Sequence, residues 1–478
     1  MWRNAVVFAD TAHRLVPDVR ARGDAVRLRG YQSDLLTTVD KRLSAGVRSL
    51  ILQSATGSGK TTLATGLAGR WTRRGWVLYV VPRLEIFDQT AEALERERLA
   101  VTELAAGDKT AWPRSGVLLA MGETLRRRLT QGIAAPCLVV VDEAHYAPAV
   151  ALAIQRQWPR TPLVGLTATP CRLQDAKLAD IYSEIIPGPQ VSQLVGQGYL
   201  APCRTLTAKA PDLRGVRIVG GEFEAEGLGK AFSALVGDVA GTWLQHAQGR
   251  RTICFAVNRS HGETLTAEYK RRGIRARFIH GDTHPDERAD ALDQLRRHRL
   301  DVLVNVGLFV EGLDLPEVAC VQLAVATMSL SRYLQMVGRG MRTATGKRDC
   351  IVLDHGGNVE RHGLPDDDRV WSLDEDVTVG SSAPIRSCRL CGGLYRVVCH
   401  RCHPSKRGAP VQVQGTLREV VTTRQPAVYV MPTPPRPCPP RLMAWSAVWD
   451  QLERERVLRG GRPEQTEQLL LAAVRGVR

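Results

Sequence analysis

At 478 residues the chain is too long for one ordinary hydrophobic core, and two or three domains are expected. A formal charge of +16 and a pI of about 9.7 argue against cationic partners and point to an anionic polymer, a solvated basic surface being the plainer alternative. The apolar run Ala5 to Ala9 is cut short by Asp10, which argues against a secretory leader, and no stretch approaches the ~18 apolar residues that span a bilayer, so a cytoplasmic protein is expected.

Residues 1–24 are expected to form an N-terminal extension. Over 25–200, apolar runs at Ser49 to Leu52, Val77 to Val81, Val117 to Met121, Cys137 to Val141 and Leu163 to Leu166 alternate with helix-compatible stretches such as Thr61 to Arg74 and Glu85 to Leu99. Runs without polar alternation suit strands buried on both faces, and helices between them suit a parallel sheet. Residues 201–235, Gly-rich and without a clear period from Lys209 to Lys230, are expected to connect, with one hairpin. The α/β pattern restarts over 236–357, with strands at Thr252 to Ala256, Ala276 to Ile279, Val302 to Val304, Val318 to Ala324 and Cys350 to Leu353, and helices at Gly262 to Arg272 and Pro285 to Arg297. The fold class is therefore α/β, two tandem P-loop-type lobes with parallel sheets, followed by a small basic tail.

The string Ser54 to Thr62 (SATGSGKTT) follows the first strand and opens a helix. Backbone amides of Thr56, Gly57, Ser58 and Gly59 would surround phosphates, Lys60 would neutralise charge, Thr61 would offer a hydroxyl to Mg²⁺, and Thr62 completes the turn. Ser54 stands where the general pattern has Gly. A second apolar strand ends in Asp142 and Glu143, carboxylates placed at the sheet's carboxyl edge to hold Mg²⁺ and to orient or deprotonate a water.

Seven of the eleven cysteines are scattered singly, and no disulfide framework is indicated. Cys388, Cys391, Cys399 and Cys402 instead form C-x2-C-x7-C-x2-C, a spacing that places four thiolates around Zn²⁺ in a closed structural site, with His400 or His403 as alternative ligands. A zinc-knuckle module is thus expected over 358–403, a Pro/Arg-rich linker over 404–440 and a basic helical tail over 441–478. Residues 385–478 carry sixteen Lys and Arg against six Asp and Glu, which is ten of the sixteen net charges. No nuclease-like carboxylate constellation follows Asp354, and Asp366 to Asp368 is expected to be a solvated turn.

Taken together, VDEAH and LTATP (Leu166 to Pro170) resemble motifs II and III of the superfamily 2 DEAD/DEAH-box helicases. The other motifs follow in order: LRGYQ (Leu28 to Gln32), VVPRLEIFDQ (Val80 to Gln89), FAVNRSHGETL (Phe255 to Leu265), NVGLFVEGLDLP (Asn305 to Pro316) and QMVGRGMR (Gln335 to Arg342). The resemblance covers about residues 28 to 355 and is nearest to RadD-type bacterial helicase-like ATPases. It implies two RecA-like lobes, adenine reading by Arg29 and Gln32, nucleotide contacts from Gly312 and Asp314, and arginine fingers at Arg339 and Arg342 beside Gln335. It further implies coupling through His145, Thr167 and Thr169, and nucleic-acid contacts at Arg83, Gly122, Arg259, His280 and Gly281. The expected activity is ATP-dependent translocation on or remodelling of nucleic acid, DNA more than RNA, in repair or recombination. The alternative is an ATPase switch or adaptor that recruits a protein partner through the tail.

Overall fold

The computed structural model describes residues 28–106, 111–129, 132–146, 148–170, 178–207, 211–308 and 315–373, with four two-residue strands beyond. All of these belong to the unit Met1–Val420; Val421–Arg478 forms a second unit and lies outside the described residues.

The first lobe runs α1 (Gly30–Ser44), β1 (Ser49–Gln53), α2 (Lys60–Trp71), β2 (Val77–Val81), α3 (Leu84–Arg96), β3 (Val101–Leu104), β4 (Val117–Met121), α4 (Gly122–Arg128), β5 (Leu138–Val141), α5 (Pro148–Gln157), β6 (Leu163–Thr167) and β7 (Glu184–Pro187). Its seven strands are all parallel, in the order β3-β4-β2-β5-β6-β1-β7. Because side chains alternate along a strand, β1 sends Leu50 and Leu52 to the face covered by α1, α2 and α3, and Ile51 to the face covered by α4 and α5. Helix α2 buries Leu63, Leu67 and Trp71 on one stripe, each worth about 1.5–3 kcal/mol of burial. The expected runs became strands, and two edge strands joined them. The β3 sequence VTEL is mostly half-exposed and β7 carries Glu184 and Pro187, so neither has the apolar signature of a central strand.

Helix α6 (Val191–Gly196) leads into the second lobe: β8 (Cys203–Thr207), the hairpin β9 (Ile218–Val219) and β10 (Glu222–Phe223), α7 (Ala225–Ser233), α8 (Val236–His246), β11 (Thr252–Ala256), α9 (Arg259–Arg271), β12 (Ala276–Ile279), α10 (Pro285–Arg296), β13 (Val302–Asn305), β14 (Cys320–Ala324), α11 (Leu330–Gly338), β15 (Cys350–Asp354) and α12 (Asn358–His362). The sheet order is β12-β13-β11-β14-β15-β8, again parallel, with Arg418–Glu419 adding an antiparallel edge to β8.

Three expected boundaries move. The 201–235 connector contains the hairpin as expected, but β8 belongs to the second sheet: its CRTLT sequence is too polar to announce a strand, yet its backbone pairs with β15 in full register. Residues 358–373 join the folded body instead of a zinc module. Arg369 is buried and exchanges hydrogen bonds with Gln190, Ser192 donates to Asp368 at 2.6 Å, and the Leu364 amide donates to Asp367 at 2.7 Å, so the acidic turn is half-buried and bonded. Within the 404–440 linker, Arg418–Glu419 pairs with β8, whose outer edge offers unpaired backbone groups. Among the described residues no helix is long and apolar enough to cross a membrane.

Candidate nucleotide site between the lobes

Parallel strands deliver the first lobe's chemical residues to one edge. The P-loop follows β1, Arg83 follows β2, Asp142 and Glu143 follow β5, and Thr167 ends β6. The P-loop turn needs left-handed backbone at Gly57 (φ +83°) and Gly59 (φ +90°), which glycine adopts without steric cost. Ser54, at the general pattern's first glycine, is built into the turn: its amide donates to Thr167 O at 3.0 Å and its hydroxyl lies 2.6 Å from that of Ser58. Lys60 opens α2 with Thr61 and Thr62, all half-buried, and its ammonium lies 2.5 Å from the Glu143 carboxylate.

Upstream, Gln32 accepts from the Arg29 amide at 2.9 Å and donates to the carbonyls of Ser58 and Gly59 at 3.2 and 3.3 Å. Tyr31, one residue before it, donates its hydroxyl to Ser58 O, and the Arg29 guanidinium stacks 4.7 Å from the ring of Tyr199. Sequence reasoning missed Tyr31 and Tyr199. The first stood inside the motif, and the second carried no signal in its own neighbourhood.

Glu143 sits at φ +45°, a left-handed conformation that costs a non-glycine residue about 1–3 kcal/mol and is held here because its amide donates to Asp142 at 2.8 Å while its carbonyl accepts from Tyr146. Burial pushes the Glu143 carboxyl up, and Lys60, by its charge and its hydrogen bond, outweighs it together with His145 and, least, Arg339, holding the group below the usual carboxylate range. Burial drives His145 down to about 4, so it is neutral at physiological pH. Thr167 Oγ1 accepts from the Thr169 amide at 3.1 Å and lies 2.7 Å from His145 Nδ1. The other ring nitrogen, Nε2, lies 3.3 Å from Ser331 Oγ and 3.5 Å from the Gln335 side-chain amide nitrogen on α11 of the second lobe. Ser331 in turn shares a 2.6 Å bond with Thr169. Ser331 was not expected, although its place one helical turn before Gln335 put both on one face.

The lobes touch closely here. A Cβ on Gly338 would stand 2.3 and 2.5 Å from Thr56 atoms, and one on Gly57 would stand 3.4 Å from Arg342 Cγ and 3.5 Å from Gly338 O. Arg339 is buried, and its charge reaches Glu143. Thr56 Oγ1, Glu143 Oε2 and Gln335 Oε1 are buried without a hydrogen-bond partner, and all three belong to this cleft. Gly312 and Asp314 lie outside the described residues.

Two of the expected nucleic-acid residues stand at solvent, and Gly122 does not. Arg259 opens α9 and pairs with Asp282, next to half-buried His280 and exposed Gly281. Half-buried Arg83 lies 5.4 Å from the ring centroid of Tyr146. Gly122 is buried, with a Cβ position 3.3 Å from Val150 and 3.5 Å from Val80. Cys388, Cys391, Cys399 and Cys402 lie outside the described residues, among which no group of three or more His, Cys, Asp or Glu is placed to hold a metal.

Family comparison meets this geometry at both lobes. The model for "Type III restriction enzyme, res subunit" matches residues 25–172, and that for "Helicase conserved C-terminal domain" matches 233–344. The chain belongs to the superfamily 2 helicases. Members of this family are ATP-hydrolysing enzymes, and the two lobes are its RecA-like pair. The helicase is 28% identical over 324 residues to a 51.5 kDa protein of a Lactococcus phage, covering 67% of this chain and 68% of that one. It is 25% identical over 381 residues to the mitochondrial ATP-dependent helicase irc3 of Schizosaccharomyces pombe, covering 74% of this chain and 61% of that one. In fold it is similar to the Type ISP restriction-modification enzyme LlaBIII bound to DNA, with a TM-score of 0.54 at 17% identity over 70% of this chain and 28% of that one.

Proposed function

We propose that this helicase hydrolyses ATP in the cleft between its lobes and uses lobe closure to translocate along, or remodel, DNA in preference to RNA. The observation that carries the reading is the direct approach of Gly338 to Thr56, with buried Arg339 the next residue along, which joins the P-loop and the second lobe's arginines in one cleft. Binding of nucleic acid is supported by the net charge of +16, and the DNA preference by the restriction-enzyme family match and by the LlaBIII fold relative being bound to DNA. A place in repair or recombination and the RadD-type likeness rest on the motif strings alone.

In this reading the P-loop amides and Lys60 bind the β- and γ-phosphates, and Gln32, already seated on the loop, reads adenine with Arg29. Thr61 and Asp142 are the hard oxygen donors suited to Mg²⁺, which when bound neutralises phosphate charge. Glu143, held ionised, orients the water and takes its proton as the water oxygen bonds to the γ-phosphorus and the β–γ bridge breaks. Arg339 and Arg342 offset the charge gathering on the equatorial oxygens. The three orphaned atoms of Thr56, Glu143 and Gln335 suit this role, since buried polar groups without partners are costly unless a ligand or water meets them. His145, Ser331, Thr167 and Thr169 transmit the closure, and Arg83, Arg259, His280 and Gly281 grip phosphates.

Beyond the motor, the four cysteines of the C-x2-C-x7-C-x2-C run are proposed to hold a structural Zn²⁺. The spacing supports it.

ATPase rates measured with single-stranded, duplex and forked DNA and RNA, beside a strand-displacement assay, test the function. Stimulation greatest with DNA together with displacement is expected. ATP hydrolysis without displacement would favour the adaptor alternative, and stimulation by RNA alone would overturn the substrate.

A further inference from the structure

We propose that Lys347 is a positioning residue for the arginine pair of the second lobe: its ammonium ties the loop after β13 to the segment after α11, and so fixes the backbone from which Arg339 and Arg342 reach the P-loop. The inference rests on the reading that the second lobe completes the ATP site.

Helix α11 stops at Gly338, with Arg339 as its C-cap, so the carbonyls that follow have no partner inside the helix. The structure supplies donors from two sides. Lys347 Nζ donates to Gly340 O and Arg342 O, both at 2.6 Å, while the carbonyl between them, that of Met341, accepts from the Ala201 amide at 2.7 Å. The same ammonium also donates to Pro316 O at 2.9 Å, in the connection between β13 and β14. An ammonium has three donors and no acceptor, so these three carbonyls use it completely and leave nothing for a substrate. The turn that brings it there is specific: Gly346 adopts φ +78°, and the Lys347 amide closes back on Ala344 O at 3.1 Å. From the far side, a Cβ on Gly340 would stand 2.2 Å from Cys350 Sγ and 2.8 Å from Val321 Cγ2. The carbonyls of residues 340, 341 and 342 are thus all held, with Arg339 immediately before them and Arg342 the last of the three.

Three carbonyls need three N–H groups, and a neutral amine has two. Desolvation brings Lys347 down to about 8, and Arg342 pushes the same way, while Cys350, Glu317 and Cys203 oppose it. As pH rises through about 8 the ammonium is lost, one carbonyl loses its donor, and the arginine pair loosens.

Lys347→Met keeps the stem and removes the donors. Nucleic-acid-stimulated ATPase, followed from about pH 6.5 to 9.5 in the full chain, should show kcat lower by about 10- to 100-fold, the cost of a misplaced catalytic group, with KM for ATP within about twofold. The wild type should decline through about pH 8, a limb absent in Lys347→Met, moved upward in Lys347→Arg and retained in Cys350→Ala. Should Lys347→Met not fold, the Lys347→Arg profile decides. Near-normal kcat in Lys347→Met, a loss carried by KM, or an alkaline limb unmoved in Lys347→Arg overturns the proposal. If Arg339→Ala also leaves ATPase intact, the parent reading fails instead.

Discussion

Thr169 of the first lobe and Ser331 of the second share a 2.6 Å hydrogen bond at full burial, and it is the direct side-chain link between the motif that ends β6 and the helix that carries the arginines. The Ser331 hydroxyl also meets the neutral His145 ring directly, and the Thr169 backbone amide reaches the same ring through the Thr167 hydroxyl.

Ser331→Ala removes that link while leaving the phosphate site untouched. A neutral hydrogen bond contributes about 0.5–1.5 kcal/mol, so the stimulation of ATPase by nucleic acid should fall about three- to tenfold, with basal turnover nearly unchanged. Steady-state rates with and without nucleic acid measure it; equal stimulation in variant and wild type would remove this bond from the coupling path.

Gly338→Ala tests the closed approach of the lobes. The added methyl would stand 2.3 Å from Thr56 Cγ2, so the lobes must part. ATP binding should persist and turnover should drop by at least about tenfold, with partial recovery when Thr56 is also replaced by Ser, since that removes the atom met first. Wild-type turnover in the single variant would show that the cleft does not close this far during catalysis.

Glu143→Gln and Lys60→Ala should each abolish steady turnover but part company in binding. The amide cannot take the water's proton yet leaves the phosphate contacts of Lys60 in place, so Glu143→Gln should retain ATP. Lys60→Ala should lose it. A nucleotide filter-binding assay separates them.

Much of this was legible from spacing. Residues 49–52 and 138–141 are apolar without alternation because both faces of their sheet are covered, and that pattern alone located the P-loop and the strand-end carboxylates on one edge. What stayed hidden is what depends on partners far away in sequence. Strand β8 is polar because it lies near a sheet edge, Gly122 looks like a loop glycine until Val150 is seen against it, and Lys347 looks like a surface lysine until three carbonyls converge on it. Arg369 belongs to the same class, since only the fold brings it to Gln190.

Stability should fall on acidification, beginning near pH 6.5. His145, His261 and His362 are driven to about 4 and His355 to about 3, mainly by burial, from an ordinary value of 6.5. The unfolded chain takes up protons near 6.5 while the folded chain refuses them until about 4, so the unfolded state gains as pH drops through that window, by up to about 1.4 kcal/mol per unit for each group. Asp354, raised by burial, works in the opposite sense but is a single carboxyl against four imidazoles. Melting temperatures recorded from pH 7.5 to 4.5 should decrease steadily below about 6.5, whereas a flat profile would show that these rings are hydrated in solution.

The most direct test of a two-lobe ATP site is turnover in Arg339→Ala, measured beside nucleotide affinity. The side chain is buried in the cleft and its charge reaches Glu143, though it lies far along the chain from the P-loop. If it stabilises the transferring phosphoryl group, nucleic-acid-stimulated kcat should fall by about 10³ while ATP affinity changes far less. Turnover within a few fold of the wild type would contradict the account, because hydrolysis would then be complete within the first lobe.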